Sequence, residues 1–189
     1  MIIGHGDIAS VIPDRPDRCY FAAGVSNSQE TRESEYRREY ELLLEQPRDA
    51  HIVYFSSLCV FYSKTRYASH KLGVEQAIKL RFAHHTIVRL GNIDFGKNPH
   101  TLINFMRARV DAGLPIEVQN VYRVIHTKAD LLYGLSLIPE WSCELSVPGR
   151  LIHVSDIVQE YVPGVYWNGM GWARGNGHGY ALQPSHHAY

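Results

Sequence analysis

The residues most able to do chemistry are a phenol and an ammonium four positions apart, in Tyr67-Ala-Ser-His-Lys71. At that spacing both lie on one face of a helix. A phenol ionises at a pKa of about 10 and needs a neighbouring cation to act as a base near neutral pH. Lys71 can be that cation. Upstream, Ser56-Ser57 closes the apolar run His51–Phe55, and Ser57 taken by itself suits a capping or turn serine at a strand end. The chain opens on Met1-Ile-Ile followed by Gly4-His5-Gly6-Asp7-Ile8-Ala9, a match to G-x-G-x-x-G/A directly after a strand. Glycines there allow a tight turn and close backbone approach to a pyrophosphate, although any Gly-containing turn after a strand reads the same way.

These groups need a scaffold, and the alternation of short β-rich runs with amphipathic stretches predicts an α/β fold, a parallel sheet with helices on both faces. Strands are expected at Met1–Ile3, Cys19–Ala23, His51–Phe55, Thr86–Leu90, Ile116–Val118 and Leu151–Val154. Helices are expected from about Gln29 to Gln46, with Tyr36, Tyr40, Leu43 and Leu44 as the apolar face, and from Tyr67 to about Phe82. Two more should cover His100–Ala112, stopped by Gly113 and Pro115, and Lys128–Leu137, opened by a capping box in Thr127-Lys-Ala-Asp130. Glu33, Glu35, Arg37 and Arg38 read as a solvated helix face.

Taken in order, the Gly4–Ala9 turn, Phe21-Ala-Ala-Gly-Val-Ser26, Val53-Tyr-Phe-Ser-Ser-Leu-Cys-Val-Phe61, Tyr67-Ala-Ser-His-Lys71 and Arg89-Leu-Gly-Asn-Ile-Asp-Phe-Gly96 resemble the extended short-chain dehydrogenase/reductase family. That family comprises the NAD-dependent epimerases and dehydratases acting on nucleotide sugars. The resemblance extends over roughly residues 1–160, with Pro115-Ile116 and Arg123-Val-Ile-His126 similar to a late strand pair. It implies a Ser57/Tyr67/Lys71 catalytic set, and NAD or NADP held by Gly4, Gly6, Asp7, Ile8, Ala22, Ala23, Gly24, Tyr67 and Lys71. It also implies a nucleotide-sugar-like substrate contacted by Ser57, Asn92 and Arg123, and a homodimer formed by the helix pair carrying Tyr36, Tyr40 and Leu43. Asn92 in a post-strand turn and Arg123 on a surface strand are equally ordinary structural residues.

The chain departs from that pattern in three places. After the glycine turn, Val11-Ile-Pro-Asp-Arg-Pro-Asp-Arg18 leads straight to Cys19–Ala23, so the strand-and-helix unit whose acid would grip the adenosine ribose is missing. Cofactor binding should therefore be weak. Asp14 and Asp17 read as solvated turn residues, and Arg15 and Arg18 as poor phosphate contacts. Only Phe61-Tyr-Ser-Lys-Thr-Arg66 stands where a substrate-facing loop belongs, and the substrate lobe shrinks to about residues 116–161.

The organisation expected is a truncated Rossmann-like domain over 1–161 and a docking tail over 162–189. The tail holds six of fifteen glycines, Trp167 and Trp172, and Arg174 as its one Asp, Glu, Lys or Arg. Its aromatics suit an apolar groove, on this chain or on a protein partner. A degenerate, non-catalytic scaffold docking through this tail is thus the alternative function. Nineteen basic residues balance nineteen acidic ones, which argues against nucleic acid. No apolar run reaches the roughly 20 residues of a membrane span, and Met1-Ile-Ile-Gly-His is no signal peptide, so a cytoplasmic protein is expected. Cys19, Cys59 and Cys143 should be buried thiols, and the eleven histidines show no metal-ligand spacing, so no metal is expected.

Overall fold

The computed structural model describes residues 1–167 and 172–174. Its centre is a five-stranded sheet in the order β1 (Ile2–Ile3), β2 (Cys19–Phe21), β3 (Ile52–Ser57), β4 (His85–Leu90) and β7 (Cys143–Ser146), every neighbouring pair parallel. Helices α1 (Glu33–Leu44), α2 (Arg66–Arg81) and α4 (Lys128–Ser136) cover it. The two-residue side-chain period of the strands explains the layers. Phe21, Ile52 and Tyr54 pack with Leu43 of α1 and with Val74 and Ile78 of α2. Tyr20, Val53, Phe55, Val88 and Leu90 pack on the opposite face with Leu131 and Leu135 of α4. A parallel sheet buried on both faces needs such apolar runs.

The last third of the chain builds a second core. Strands β5 (Asn92–Ile93), β6 (Tyr122–His126) and β8 (Arg150–His153) form a small sheet, parallel between β5 and β6 and antiparallel between β6 and β8. Ile125 and Ile152 of this sheet pack with Ile103, Met106 and Val110 of α3 (Leu102–Asp111) and with Ile157 and Val158 of α5 (Val154–Tyr161). Strands β9 (Val165–Trp167) and β10 (Trp172–Arg174) pair antiparallel. The expected tail otherwise lies outside the described residues.

Several expectations need correction. Residues 116–118 form no strand; Ile116 instead buries its side chain in the second core, beside Pro115, while the backbone pairs with nothing. Helix α1 begins at Glu33 rather than Gln29, because the Glu30 carboxylate takes the N–H groups of Thr31 and Arg32 and the Asn27 side chain takes that of Gln29. Its buried face is Tyr36, Glu39 and Leu43, leaving Tyr40 and Leu44 exposed. The spacing of Leu72, Val74, Ala77 and Ile78 places all four along one side of the second helix, but Leu72 is exposed. Of the three cysteines only Cys19 is buried; Cys59 and Cys143 are half-buried. By contrast, the Thr127–Asp130 capping box forms with both of its hydrogen bonds.

Candidate active site

Helix α2 positions the phenol and the ammonium. Thr65 caps it by accepting the Ala68 N–H, and its Tyr67 and Lys71 face the ends of β2 and β3. Helix α1 runs parallel beside it: Arg66 pairs with Glu33 and stacks over the Tyr36 ring, His70 meets that ring edge-on, and Arg81 donates to the Leu44 carbonyl. The sheet ends, the α2 N-terminus and the second core enclose a cleft of about 740 Å³. Ser57, Tyr67 and Lys71 line it together with Gly6, Asp7, Ile8, Ala22 and Gly24, and so do Asn92 and Arg123 from the small sheet. Gly4 and Ala23 lie outside this lining. Gly4 has φ +115°, and a Cβ there would sit 2.5 Å from the Ala22 carbonyl, so this glycine is required by strand packing.

The local bonding assigns several of these residues structural duties. Ser57 Oγ accepts the Cys59 N–H at 3.2 Å and caps the short 3-10 helix 58–61, the capping alternative already visible in the sequence. The same hydroxyl faces the Tyr67 phenol and acts to lower its pKa. Asp7 spends both carboxylate oxygens on the backbone of Lys97 and Asn98, at 2.9 and 3.0 Å, clamping the loop after β5 to the glycine turn. Arg123 donates to Gln119 at 2.8 Å. Arg18 reaches away from the cleft to the Ile138 carbonyl, tying the Pro-rich segment to the end of α4.

Three contributors escaped the sequence reading. Glu39 of α1 is fully buried, with one carboxylate oxygen 3.0 Å from Lys71 Nζ and 2.7 Å from the Tyr54 hydroxyl, and the other 2.7 Å from the Val25 N–H and 3.0 Å from His70 Nε2. Burial alone would raise its pKa, but the Lys71 ammonium and these donors prevail and hold the carboxyl well below its usual range. The signal was present: residue 39 lies between Tyr36 and Leu43 on the buried stripe, and a carboxylate there implies a buried partner. The second is Cys59, whose thiol lines the cleft and is raised by burial against the pull of Ser57 and Lys71. The third is His126, buried beneath the cleft, whose Nε2 accepts the Gly91 N–H at 2.8 Å and whose Nδ1 lies 3.2 Å from the Pro148 carbonyl.

Tyr67 is displaced the opposite way from a ready base. Burial pushes its phenol well above the ordinary tyrosine value, the Cys59 and Glu39 charges push it further, and the Ser57 hydroxyl acts against them. Lys71 Nζ stands 5.7 Å from the Tyr67 ring centre and 5.1 Å from that of Tyr54.

The cleft's fit to a dinucleotide divides in two. A Cβ built on Gly6 would meet nothing within 4 Å, so the backbone is open for close approach at the glycine turn. On the other side β1 is the edge strand, residues 6–12 make turns in place of a helix, and among the described residues no strand beyond β1 brings an acid to where an adenosine ribose would lie. Among the described residues there is no metal-binding cluster, and no helix long and apolar enough to cross a membrane.

Neither a protein-family model nor a curated protein matches the sequence. Solved structures do match the fold. A Thermus thermophilus UDP-glucose 4-epimerase in complex with NAD superposes with a TM-score of 0.61 at 17% identity, over 76% of this chain and 60% of its own. A Bacillus cereus UDP-glucuronic acid 4-epimerase, in complex with NAD and a fluorinated UDP-sugar, gives 0.60 at 13% identity, over 76% and 57%. The Bordetella bronchiseptica enzyme WbmH in complex with NAD+ gives 0.59 at 13%, over 75% and 56%. The chain therefore has a Rossmann-like α/β fold in shortened form. These three structures share that fold, and the chain spans a little over half of their length.

Proposed function

We propose that the cleft binds the nicotinamide half of NAD or NADP beside a nucleotide-sugar-like molecule, and that Ser57, Tyr67 and Lys71 form its acid/base centre. The observation that carries this reading is the convergence of those three side chains, Gly6 and Gly24, and the Asn92 and Arg123 pair on one cleft. Gly6, Ala22 and Gly24 would line the cofactor side, while Asn92 and Arg123 would meet the substrate and its phosphates. When bound, the nicotinamide ring supplies the hydride acceptor. Tyr67 takes the proton from the sugar hydroxyl and returns it, Ser57 orients that hydroxyl, and Lys71 fixes the helix face on which Tyr67 stands. Because the adenosine side is cut back, affinity should fall by about 1.5–3 kcal/mol, roughly 10- to 100-fold, against a complete dinucleotide site.

A second reading is favoured by the Glu39–Lys71 pair and by the protonated Tyr67: a non-catalytic binding scaffold that docks a protein partner through residues 162–189. The exposed Tyr40 and Leu44 on α1 and Leu72 and Leu80 on α2 support a homodimer along this helix pair. Its buried Tyr36 and Leu43 belong to the protomer instead. Turnover separates the two readings: UDP-sugars are supplied with NAD and the sugar is followed for hydrogen exchange or epimerisation. Activity that disappears in Tyr67→Phe supports the enzyme. Saturable binding without turnover supports the scaffold.

A further inference from the structure

Glu39 has a consequence beyond packing, one that rests on Tyr67 being the site's acid/base. We infer that Glu39 is a positioning residue for this site: its buried carboxylate fixes the Lys71 ammonium and balances its charge, so the cleft presents Tyr67 with a neutral ion pair instead of a free cation.

The geometry makes the pairing obligatory. Glu39 is fully buried and Lys71 is 2% exposed, so neither can exchange its partner for water. The four donors around the carboxylate come from three places in the fold: Tyr54 on β3, Val25 on the loop after β2, and His70 and Lys71 on α2. Gly24 closes the arrangement from the cleft side, since a Cβ there would lie 2.6 Å from Lys71 Nζ and 2.7 Å from Glu39 Oε1. The pair is therefore held by a surface that has no room to relax.

The groups facing Tyr67 support the same conclusion. From α1 come Glu39 and Tyr36, from the 3-10 helix Cys59, from β3 the Ser57 hydroxyl, and from its own helix Lys71. With Lys71 balanced by Glu39, burial and these neighbours leave the neutral phenol favoured. The site would bind its ligands while keeping its base protonated, so turnover should be slow at neutral pH and rise in alkali.

The test is an NMR titration of the intact chain made with ring-labelled tyrosine, the Tyr67 signal being assigned by its loss in Tyr67→Phe. The wild-type midpoint should lie at or above the ordinary tyrosine value of about 10. In Glu39→Gln the Lys71 charge is unbalanced, and the midpoint should fall by about one unit or more. If that variant does not fold, Glu39→Gln/Lys71→Met decides alone, because it exchanges a neutral pair for two neutral side chains and should leave the wild-type midpoint in place. An unchanged midpoint in folded Glu39→Gln, or a wild-type midpoint below about 10 that rises in the double variant, overturns the inference. The titration needs neither cofactor nor substrate. Failure to bind NAD would count against the proposed function alone.

Discussion

Gly24→Ala places a methyl group where the structure has none to spare. Its Cβ would stand 2.6 Å from Lys71 Nζ and 2.7 Å from Glu39 Oε1, against ordinary contacts from 3.4 Å, so the ion pair would have to retreat by about 0.8 Å. Both charges are locked by burial, and the displacement is shared with the Tyr54 and Val25 hydrogen bonds. Overpacking of this kind costs about 1–3 kcal/mol, and a domain of this size loses roughly 2–4 °C of Tm per kcal/mol, so a fall of roughly 2–12 °C is expected. The matched control is Gly6→Ala. Its added Cβ meets nothing within 4 Å and its φ is not positive, so fewer unfolded conformations should leave stability unchanged or raise it by about 0.4–1 kcal/mol. Calorimetry and urea unfolding on the three proteins read both effects. If Gly24→Ala melts with the wild type, or Gly6→Ala falls as far as Gly24→Ala, the close packing described around Lys71 is wrong.

Three further expectations follow from buried groups and exposed faces. Arg89 is buried between Glu75 of α2 and Glu144 of β7, and Arg89→Met leaves Glu75 uncompensated, so urea unfolding should show a loss of about 3–5 kcal/mol. Burial lowers the His126 pKa from 6.5, so folding favours its neutral form: its contribution is complete above that value and declines as pH falls through the lowered folded-state pKa. Tm should therefore decline between about pH 7 and 5 more steeply in the wild type than in His126→Gln. If α1 and α2 form a two-fold interface, sedimentation should show twice the 21.5 kDa chain mass, and Leu72→Glu should return the protomer. Sedimentation of the wild type as a single chain at micromolar concentration would remove the dimer.

How much of this was legible depends on which physical signal each feature leaves. Strands β3 and β4 announce themselves because both their faces are buried and the run is apolar throughout. Helix α4 does so because its Thr127–Asp130 box is a local hydrogen-bond device. The convergence of Ser57, Tyr67 and Lys71 followed from motif order, since the strand-to-helix passage brings the residues after β3 to the start of α2. Glu39 is harder to read: its place on the Tyr36 and Leu43 stripe is the signal, but beside Arg37, Arg38 and Glu41 a carboxylate also reads as one more solvated charge. Strand β5 spans only two residues, too few for any periodicity, and α5 follows β8 with no intervening turn residue to mark its start. That no strand lies outside β1 among the described residues was readable from the short passage between Ala9 and Cys19, because nine residues with two prolines cannot hold a helix and a strand.

The central claim, a cleft that takes the nicotinamide side of a dinucleotide, is tested most directly by calorimetric titration of NAD into the wild type and into Gly6→Val, whose side chain would fill the open approach beside the glycine turn. The account predicts saturable one-to-one binding to the wild type in the micromolar range or weaker, and a loss of at least tenfold in Gly6→Val at unchanged Tm. No measurable binding at millimolar NAD, or equal binding by both proteins, would contradict it.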